Sequence, residues 1–230
     1  YSHVVSTDST YNRLHFAKRW LDRDGLNNVT WLYASLNKLD LGRNKFDLIV
    51  LNGVLEWVPL GGMNVRPTAS QMRVLKAAYA ALKPGGTLYI GIENRFALFA
   101  FAGHPDPHTG IRFQSVMPRP IADLMARLKG GRVPRPGLPV VDMPNSYRTY
   151  TYSLNGYRQL LARAGFEETR TMVPLPSYNR PELLSDDPVV IKQHLTVLPQ
   201  HGLLNWLTPI WPQAALQLAP GFALYAKRLK

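Results

Sequence analysis

The chain has 230 residues, of which 46% are hydrophobic and 18% charged, and this balance excludes a disordered protein. Its formal net charge of +12 favours anionic partners such as phosphates, acidic glycans or an anionic membrane surface. The absence of cysteine excludes disulfides and a cysteine nucleophile, and no apolar run is long enough to predict a transmembrane helix.

The first 93 residues alternate between strand and helix patterns. A short β-branched run ends in Asp8, and a helix pattern with one apolar face follows it. The run at residues 46–51 is almost entirely apolar, which is typical of a strand buried on both faces of a parallel sheet. The predicted strands are residues 4–7, 29–34, 46–51 and 87–92, and the predicted helices are residues 10–21 and 69–82.

Residues 94–148 interrupt this alternation because they are rich in proline, glycine, arginine and aromatic residues, with one predicted helix at 121–129. Alternation then resumes with a helix at 155–164 and strands at 166–173 and 222–227. We therefore expect one domain over residues 1–230, in which 94–148 is an insertion. This insertion would form the side of the site where a substrate, the acceptor of a transferred group, binds. The fold class of the domain is α/β with a doubly wound, mostly parallel sheet, and ligands bind such sheets at the carboxyl ends of the strands.

Four segments resemble motifs of the class I (Rossmann-like) S-adenosylmethionine-dependent methyltransferases, in the same order and spacing. They are similar to the fourth-strand motif (46–58, FDLIVLNGVLEWV), the helix, Pro-Gly-Gly turn and fifth strand (75–90, LKAAYAALKPGGTLYI), the late helix (157–166, YRQLLARAGF) and the antiparallel last strand (222–227, FALYAK). The resemblance implies an enzyme that uses S-adenosyl-L-methionine to methylate a polar acceptor, anionic or linked to a glycan or lipid, with oxygen as the expected target. Residues 93–95, 104–110 and 147–153 also resemble a bacterial subgroup associated with cell-surface glycan assembly.

The first strand of this family and its glycine-rich loop have no counterpart here, because the first glycine is Gly25, after the position of the second strand. We therefore expect an N-terminally truncated domain. An upstream segment or another chain would supply a strand between residues 4–7 and 46–51.

The resemblance also assigns cofactor-binding residues. Asp8 and Ser9 lie where the family binds the ribose hydroxyls, although Asp8 also suits the N-cap of the following helix. Ser35 and Leu36 lie near the expected adenine, where many relatives carry an acid instead of serine. Asn52 and Gly53 lie near the methionine part of the cofactor, although Gly53 could simply serve the turn.

Several residues after the fourth predicted strand are candidates for the chemistry. His104, His108 and Glu93 are the candidate catalytic groups, although the histidines could instead rigidify a proline-rich loop. We expect no metal, because Pro105 and Pro107 prevent the helix that would align the two histidines. The candidate substrate-binding residues are Asn94, Arg95, Tyr150 and Tyr152.

Two segments suggest partners. Basic residues concentrate between Arg112 and Arg135 and predict an anion-binding surface, whereas no motif predicts nucleic-acid binding. The apolar stretch 203–218 could be core, an acceptor lid or a membrane-surface contact. The expected location is cytoplasmic, with contact at the inner membrane face if this stretch binds lipid. A non-catalytic module of the same fold that binds a partner chain is the alternative function.

Overall fold

The computed structural model describes residues 1–61, 65–129, 132–133, 141–142, 147–197 and 212–229. The chain divides into two compact units, Tyr1–Leu41 and Gly42–Lys230. The sequence predicted alternating strands and helices in both, and this α/β character is confirmed in each.

The first unit is a strand–helix–strand motif. Strand β1 (Val4–Asp8) pairs in parallel with β2 (Val29–Tyr33), so that Asp8 lies opposite Tyr33 at the carboxyl ends of both strands. Helix α1 (Tyr11–Arg23) connects them, and Leu14 is its buried residue. The chain leaves the helix through Gly25 at a φ of +74°, a conformation that glycine adopts without steric cost.

The second unit is built on a five-stranded sheet of order β3–β4–β9–β7–β8. Its strands are β3 (Phe46–Asn52), β4 (Leu82–Glu93), β7 (Phe166–Ser177), β8 (Arg180–Ser185) and β9 (Gly221–Arg228), and a separate short hairpin consists of β5 (Arg132–Val133) and β6 (Val141–Asp142). The helices are α2 (Pro67–Ala81), α3 (Leu98–Phe101), α4 (Arg119–Lys129), α5 (Leu154–Ala164), α6 (Pro188–Val197) and α7 (Pro212–Leu218).

The strand directions confirm the expected antiparallel last strand. Strands β3 and β4 are parallel, and β9 is antiparallel to both β4 and β7, between which it lies. The expectation of a mostly parallel sheet holds only in part, because β8 is also antiparallel to β7. Strand β8, α6 and α7 were not predicted from the sequence.

Strand β3 is less buried than its apolar sequence suggested. Only Leu51 is buried in this strand, and Val50 is 54% exposed. The expectation of burial on both faces is therefore wrong for the strand as it stands here. The reason is that β3 is the edge strand of its sheet, where β4 is its one paired neighbour among the described residues.

Local signals set the ends of the late helix as the sequence predicted. The Ser153 hydroxyl oxygen accepts the Gly156 amide at 3.2 Å at the start of α5, and Gly165 ends the helix at a φ of +102°. The apolar face of α5 buries Tyr157, Leu160 and Leu161. This packing fixes α5 and directs the Tyr157 hydroxyl toward the end of β4, where it donates to the Glu93 carbonyl at 3.0 Å.

The predicted helix in the insertion is present as α4, and it begins two residues earlier than expected. Most of the apolar stretch 203–218 lies outside the described residues; its last part forms α7, in which Ala215 is buried. No helix in the described part of the chain is long and apolar enough to cross a membrane.

Candidate active site at the carboxyl ends of two strands

The site lies where the neighbouring parallel strands β3 and β4 end. Asn52 pairs with Gly91 in the register of these strands, and the Gly53 amide donates to the Gly91 carbonyl at 2.8 Å. A side chain at residue 91 would clash with the Asn52 amide, because a Cβ there would lie 1.9 Å from Asn52 Oδ1. The two strand ends are therefore held together closely, and Glu93 follows directly.

Glu93 is the centre of a hydrogen-bonded cluster. Its Oε2 lies 2.6 Å from His108 Nε2, and its Oε1 accepts the Tyr178 hydroxyl at 3.2 Å. The His108 side chain is 4% exposed and that of Glu93 is 18% exposed. Glu93 is thus the member of the pair that remains accessible from outside, and the imidazole lies behind it.

The loop that carries His108 is built around Asp106. Asp106 Oδ1 accepts the backbone amides of His108 at 2.9 Å and Thr109 at 3.0 Å, which is the local turn that aspartate favours. Trp57 packs edge-on against the imidazole, with ring centroids 4.6 Å apart. These contacts hold the imidazole in one orientation toward Glu93.

A second carboxyl group, Glu56, lies in the same cluster. It is fully buried, and neither of its oxygens receives a well-formed hydrogen bond from the described residues. Burial, followed by the negative charge of Glu93, raises the pKa of Glu56 to about 7, although the Trp57 side chain and the charge of His108 lower it slightly. This carboxyl group therefore holds its proton to a higher pH than an ordinary glutamate does.

The pKa of His108 is also raised, although burial acts on it in the opposite direction. Burial alone would lower the pKa of His108, but the hydrogen bond and charge of Glu93, with the charges of Asp106 and Glu56, outweigh burial and raise the pKa above its ordinary value. Glu56 and His108 therefore both hold their protons to a higher pH in this cluster than they would in water.

Of the three candidate catalytic residues, the structure brings together Glu93 and His108. His104 is bound differently: its ring packs edge-on against Phe99 and its amide donates to the Phe99 carbonyl at 3.0 Å. Among the described residues, no group of three or more histidines, aspartates and glutamates is arranged to hold a metal ion.

The candidate substrate residues Asn94 and Arg95 are occupied by contacts within the protein. The Asn94 amide nitrogen donates to the carbonyls of Gln217 at 2.7 Å and Ala219 at 2.9 Å. The Arg95 guanidinium donates to the carbonyls of Ser115 at 2.8 Å and Met117 at 2.7 Å. Both side chains therefore tie the end of β4 to neighbouring segments.

Tyr150 and Tyr152 are joined by Gln71 of α2, which sequence analysis had not selected. The Gln71 amide nitrogen donates to the Tyr150 carbonyl at 2.7 Å and to the Leu55 carbonyl at 3.0 Å, and its oxygen accepts the Tyr152 hydroxyl at 2.7 Å. Gln71 is buried, and its three hydrogen bonds connect both tyrosines to Leu55, the residue before Glu56.

The expected cofactor-binding residues divide between the two units. In the first unit, Asp8 ends β1 and its Oδ1 accepts the Thr10 amide at 2.6 Å, which shapes the turn into α1. Ser9 is exposed beside it. Ser35 follows β2, and its carbonyl accepts the amides of Lys38 and Leu39, so that Leu36 lies within this turn.

In the second unit, Gly53 has a φ of +63°, which explains the glycine by turn geometry. The space beside it is filled by Tyr178, since a Cβ at residue 53 would lie 2.9 Å from the ring.

Comparison with known protein families gives a match over the first part of the chain. A family model described as a methyltransferase domain matches residues 1–90. No curated protein matches the sequence.

Solved structures of low sequence identity extend the comparison to the fold of the whole chain. An S-adenosylmethionine-dependent methyltransferase structure from Methanosarcina mazei is similar at a TM-score of 0.54 and 16% identity, over 99% of this chain and 83% of that one. A candidate S-adenosylmethionine-dependent methyltransferase from Listeria monocytogenes has a TM-score of 0.54 and 15% identity, over 100% and 81% of the two chains. A Haloferax volcanii complex of a candidate methyltransferase with the methyltransferase activator Trm112 has a TM-score of 0.53 and 12% identity, over 100% and 73%.

The match over residues 1–90 and the fold of the chain support a methyltransferase enzyme, and they imply S-adenosylmethionine as its cofactor. The methyltransferase therefore carries its acid–histidine cluster at the strand ends where open α/β sheets bind their ligands.

Glu56 gives a prediction about stability and pH. An unfolded chain has a glutamate pKa near 4.5 and the folded pKa is about 7, so the folded state holds this proton longer. Between pH 4.5 and 7 the unfolded state loses the proton first, and wild-type stability should fall by about 3 kcal/mol across this window and remain lower above it. Glu56→Gln should remove this fall.

Chemical denaturation of both proteins at pH 5 and pH 8 measures the effect, with Glu182→Gln at an exposed site as the control. The variant-minus-wild-type difference should grow with pH for Glu56→Gln and stay constant for Glu182→Gln. Parallel pH dependences for Glu56→Gln and the wild type would show that Glu56 keeps an ordinary pKa.

Proposed function

We propose that this methyltransferase methylates a hydroxyl oxygen of a polar acceptor and that Glu93 accepts the hydroxyl proton. The observation that carries this proposal is the pair of Glu93 and His108, with 2.6 Å between Oε2 and Nε2, at the carboxyl end of β4. A hydroxyl group is a poor nucleophile unless a base removes its proton as the new bond forms. Glu93 is the partly exposed member of the pair, and so it is the group that an acceptor reaches.

The residues present fit the cofactor in part. Asp8 Oδ1 accepts the Thr10 amide, and in the described part of the chain Oδ2 receives no hydrogen bond, so a carboxylate oxygen remains for a ribose hydroxyl. Ser35 follows the neighbouring parallel strand, and the Ala34 amide donates to the Asp8 carbonyl at 3.1 Å. When bound, S-adenosylmethionine supplies a methyl group already activated by the sulfonium.

The residues of this chain would then remove the proton of the acceptor hydroxyl group. The cofactor would supply the methyl group to the acceptor oxygen, and the Glu93 carboxylate would accept the O–H proton of the acceptor. His108, when neutral, donates from Nε2 to Glu93, and the Tyr178 hydroxyl donates to the other oxygen. These two donors fix the carboxylate for the proton transfer.

The protonation state of His108 controls the basicity of Glu93. An imidazolium beside the carboxylate stabilises its charge and makes it a weaker base, whereas neutral imidazole leaves it a stronger one. The pKa of His108 is raised, so the neutral form appears above the ordinary histidine range. Methyl transfer should therefore increase with pH through this raised value.

We also propose that a further strand pairs with the edge of β3 that has no partner strand among the described residues. The amides and carbonyls of an edge strand are an open template for pairing, and β3 carries apolar side chains such as Val50 along an exposed edge. An upstream segment of the protein or a partner chain would supply this strand. A candidate methyltransferase of similar fold is found in complex with an activator chain, which is in keeping with such an arrangement.

The cofactor role of Asp8 can be tested by binding. Asp8→Ala should weaken S-adenosylmethionine binding by ~1–3 kcal/mol, because the ribose donors would be left unpaired. Asp24→Ala changes an exposed aspartate of the same unit, which contacts Arg23, and should leave the affinity unchanged. Calorimetric titration of each protein measures the difference, and equal affinities for wild type and Asp8→Ala would remove Asp8 from the site.

The base can be tested by kinetics. Glu93→Gln keeps the shape of the side chain but cannot accept the proton, so kcat should fall by roughly 10²–10⁴. His108→Gln keeps a donor to Glu93 but does not titrate, so the rise of kcat with pH should move below the ordinary histidine range. The pH profile of methyl transfer measures both effects. A Glu93→Gln enzyme with wild-type kcat, or a His108→Gln enzyme with an unchanged profile, would contradict the proposed roles.

A further inference from the structure

A cavity of about 410 Å³ lies between α4, the start of α2 and the segment at residues 147–150. This volume lies in the range of small-molecule sites. Its lining includes three arginines, Arg119, Arg127 and Arg148, and one acidic residue, Asp123; the Arg148 guanidinium donates to the carbonyls of Pro59 and Val65. The lining is therefore positive, and the cavity lies outside the cluster around Glu93.

The positive charge of Arg119 is held by neutral partners. Its guanidinium donates to the Thr151 carbonyl and lies 3.9 Å from the centre of the Tyr150 ring. The one carboxylate of the lining is already engaged, because Asp123 Oδ2 pairs with Arg127 at 2.7 Å and Oδ1 accepts the Tyr147 amide at 3.0 Å. An anion in the cavity would therefore meet a guanidinium whose position is fixed in advance.

Arg95 adds to the same positive field. Its guanidinium also donates to carbonyls, those of Ser115 and Met117. Burial, followed by the positive charge of Arg119, lowers the pKa of Arg95. Two guanidinium groups near enough to disfavour each other's charge mark a place where a bound anion would be stabilised.

The remaining walls are flat and apolar. Tyr147 and Tyr150 pack with ring centroids 5.8 Å apart, and Pro67 and Pro120 also line the cavity. Faces of this kind suit a ring, and arginine suits the oxygens of a carboxylate or a phosphate.

We propose that this cavity binds a ring compound carrying one carboxylate or phosphate group, and that this compound is the anionic part of the methyl acceptor. The wall of the cavity is joined to the acid–histidine cluster through Gln71, which donates to both the Tyr150 and the Leu55 carbonyls. The role as acceptor rests on the proposed function, whereas binding of the anion does not.

Direct binding without the cofactor tests the cavity. The probes are 4-nitrophenyl phosphate and 4-nitrobenzoate, with neutral 4-nitrophenyl glucoside and inorganic phosphate as their controls. Each anionic ring should bind at least about ten-fold more tightly than either control, and its affinity should fall as salt is added. The tighter of the two anionic rings identifies phosphate or carboxylate as the natural group. Affinity for the neutral ring or for free phosphate equal to that of both anionic rings would overturn the proposal.

Three variants locate the site. Arg119→Gln should weaken binding of the anionic probe about ten-fold, and Arg127→Gln, a surface change that leaves Asp123 without its partner, should weaken it as well. Asp123→Asn should strengthen binding, because it removes the negative charge from the lining. Arg170→Gln is the matched control, since Arg170 is an exposed arginine paired with Asp186.

If the affinity for the anionic probe is unchanged in both Arg127→Gln and Asp123→Asn, the proposal that the cavity binds it is overturned. This holds even if Arg119→Gln fails to fold. Glu93→Gln should bind the probe as the wild type does. Intact probe binding together with wild-type methyl transfer by Glu93→Gln would overturn the proposed base and leave the cavity standing.

Discussion

A buried carboxyl group, a partly exposed one and a buried imidazole lie together near the ends of β3 and β4, and the rest of the second unit depends on satisfying them. A charge placed in such surroundings without partners costs several kcal/mol, so these groups persist only if they are paired and share protons. Glu93 meets this requirement through His108 and Tyr178. Glu56 has no comparable bond among the described residues, and burial, followed by the charge of Glu93, raises its pKa to about 7.

Distant parts of the chain are brought together to satisfy this cluster. Tyr157 reaches it from α5, Tyr178 from the turn between β7 and β8, and His108 from a loop organised by Asp106. Asn94 ties the strand end to carbonyls at the end of α7. The fold therefore converges on one point, and the loss of any one of these elements would leave a polar group of the cluster without its partner.

The sequence predicted the regular parts of this arrangement well, because strands and helices follow from local periodicity. It also selected Glu93 and His108, since both follow β4 and ligands gather at strand ends. It missed Glu56, although a glutamate within the apolar run from Val54 to Val58 was a usable signal. Tyr178 and Gln71 gave no signal, because their roles depend on the lengths of β7 and α2 and on how these elements pack.

The exposure of β3 is likewise set by packing and could not be predicted from the sequence alone. Its apolar sequence describes the environment for which the strand is suited, whereas its actual exposure depends on which neighbour pairs with its edge. Asn94 and Arg95 were selected as polar residues at a strand end, and only the structure reveals that neighbouring carbonyls use their donors.

The pairing of His108 with Glu93 inside the protein is the central claim, and its most direct test is an NMR titration of the His108 imidazole. In the wild type the pKa of His108 should lie above 6.5, because Glu93 outweighs the effect of burial. In Glu93→Gln that pKa should fall below the wild-type value, since burial then acts with less opposition, while the resonances of His3, an exposed residue of the first unit, remain as a reference. A His108 pKa at or below 6.5 in the wild type, or one that Glu93→Gln does not change, would contradict the account.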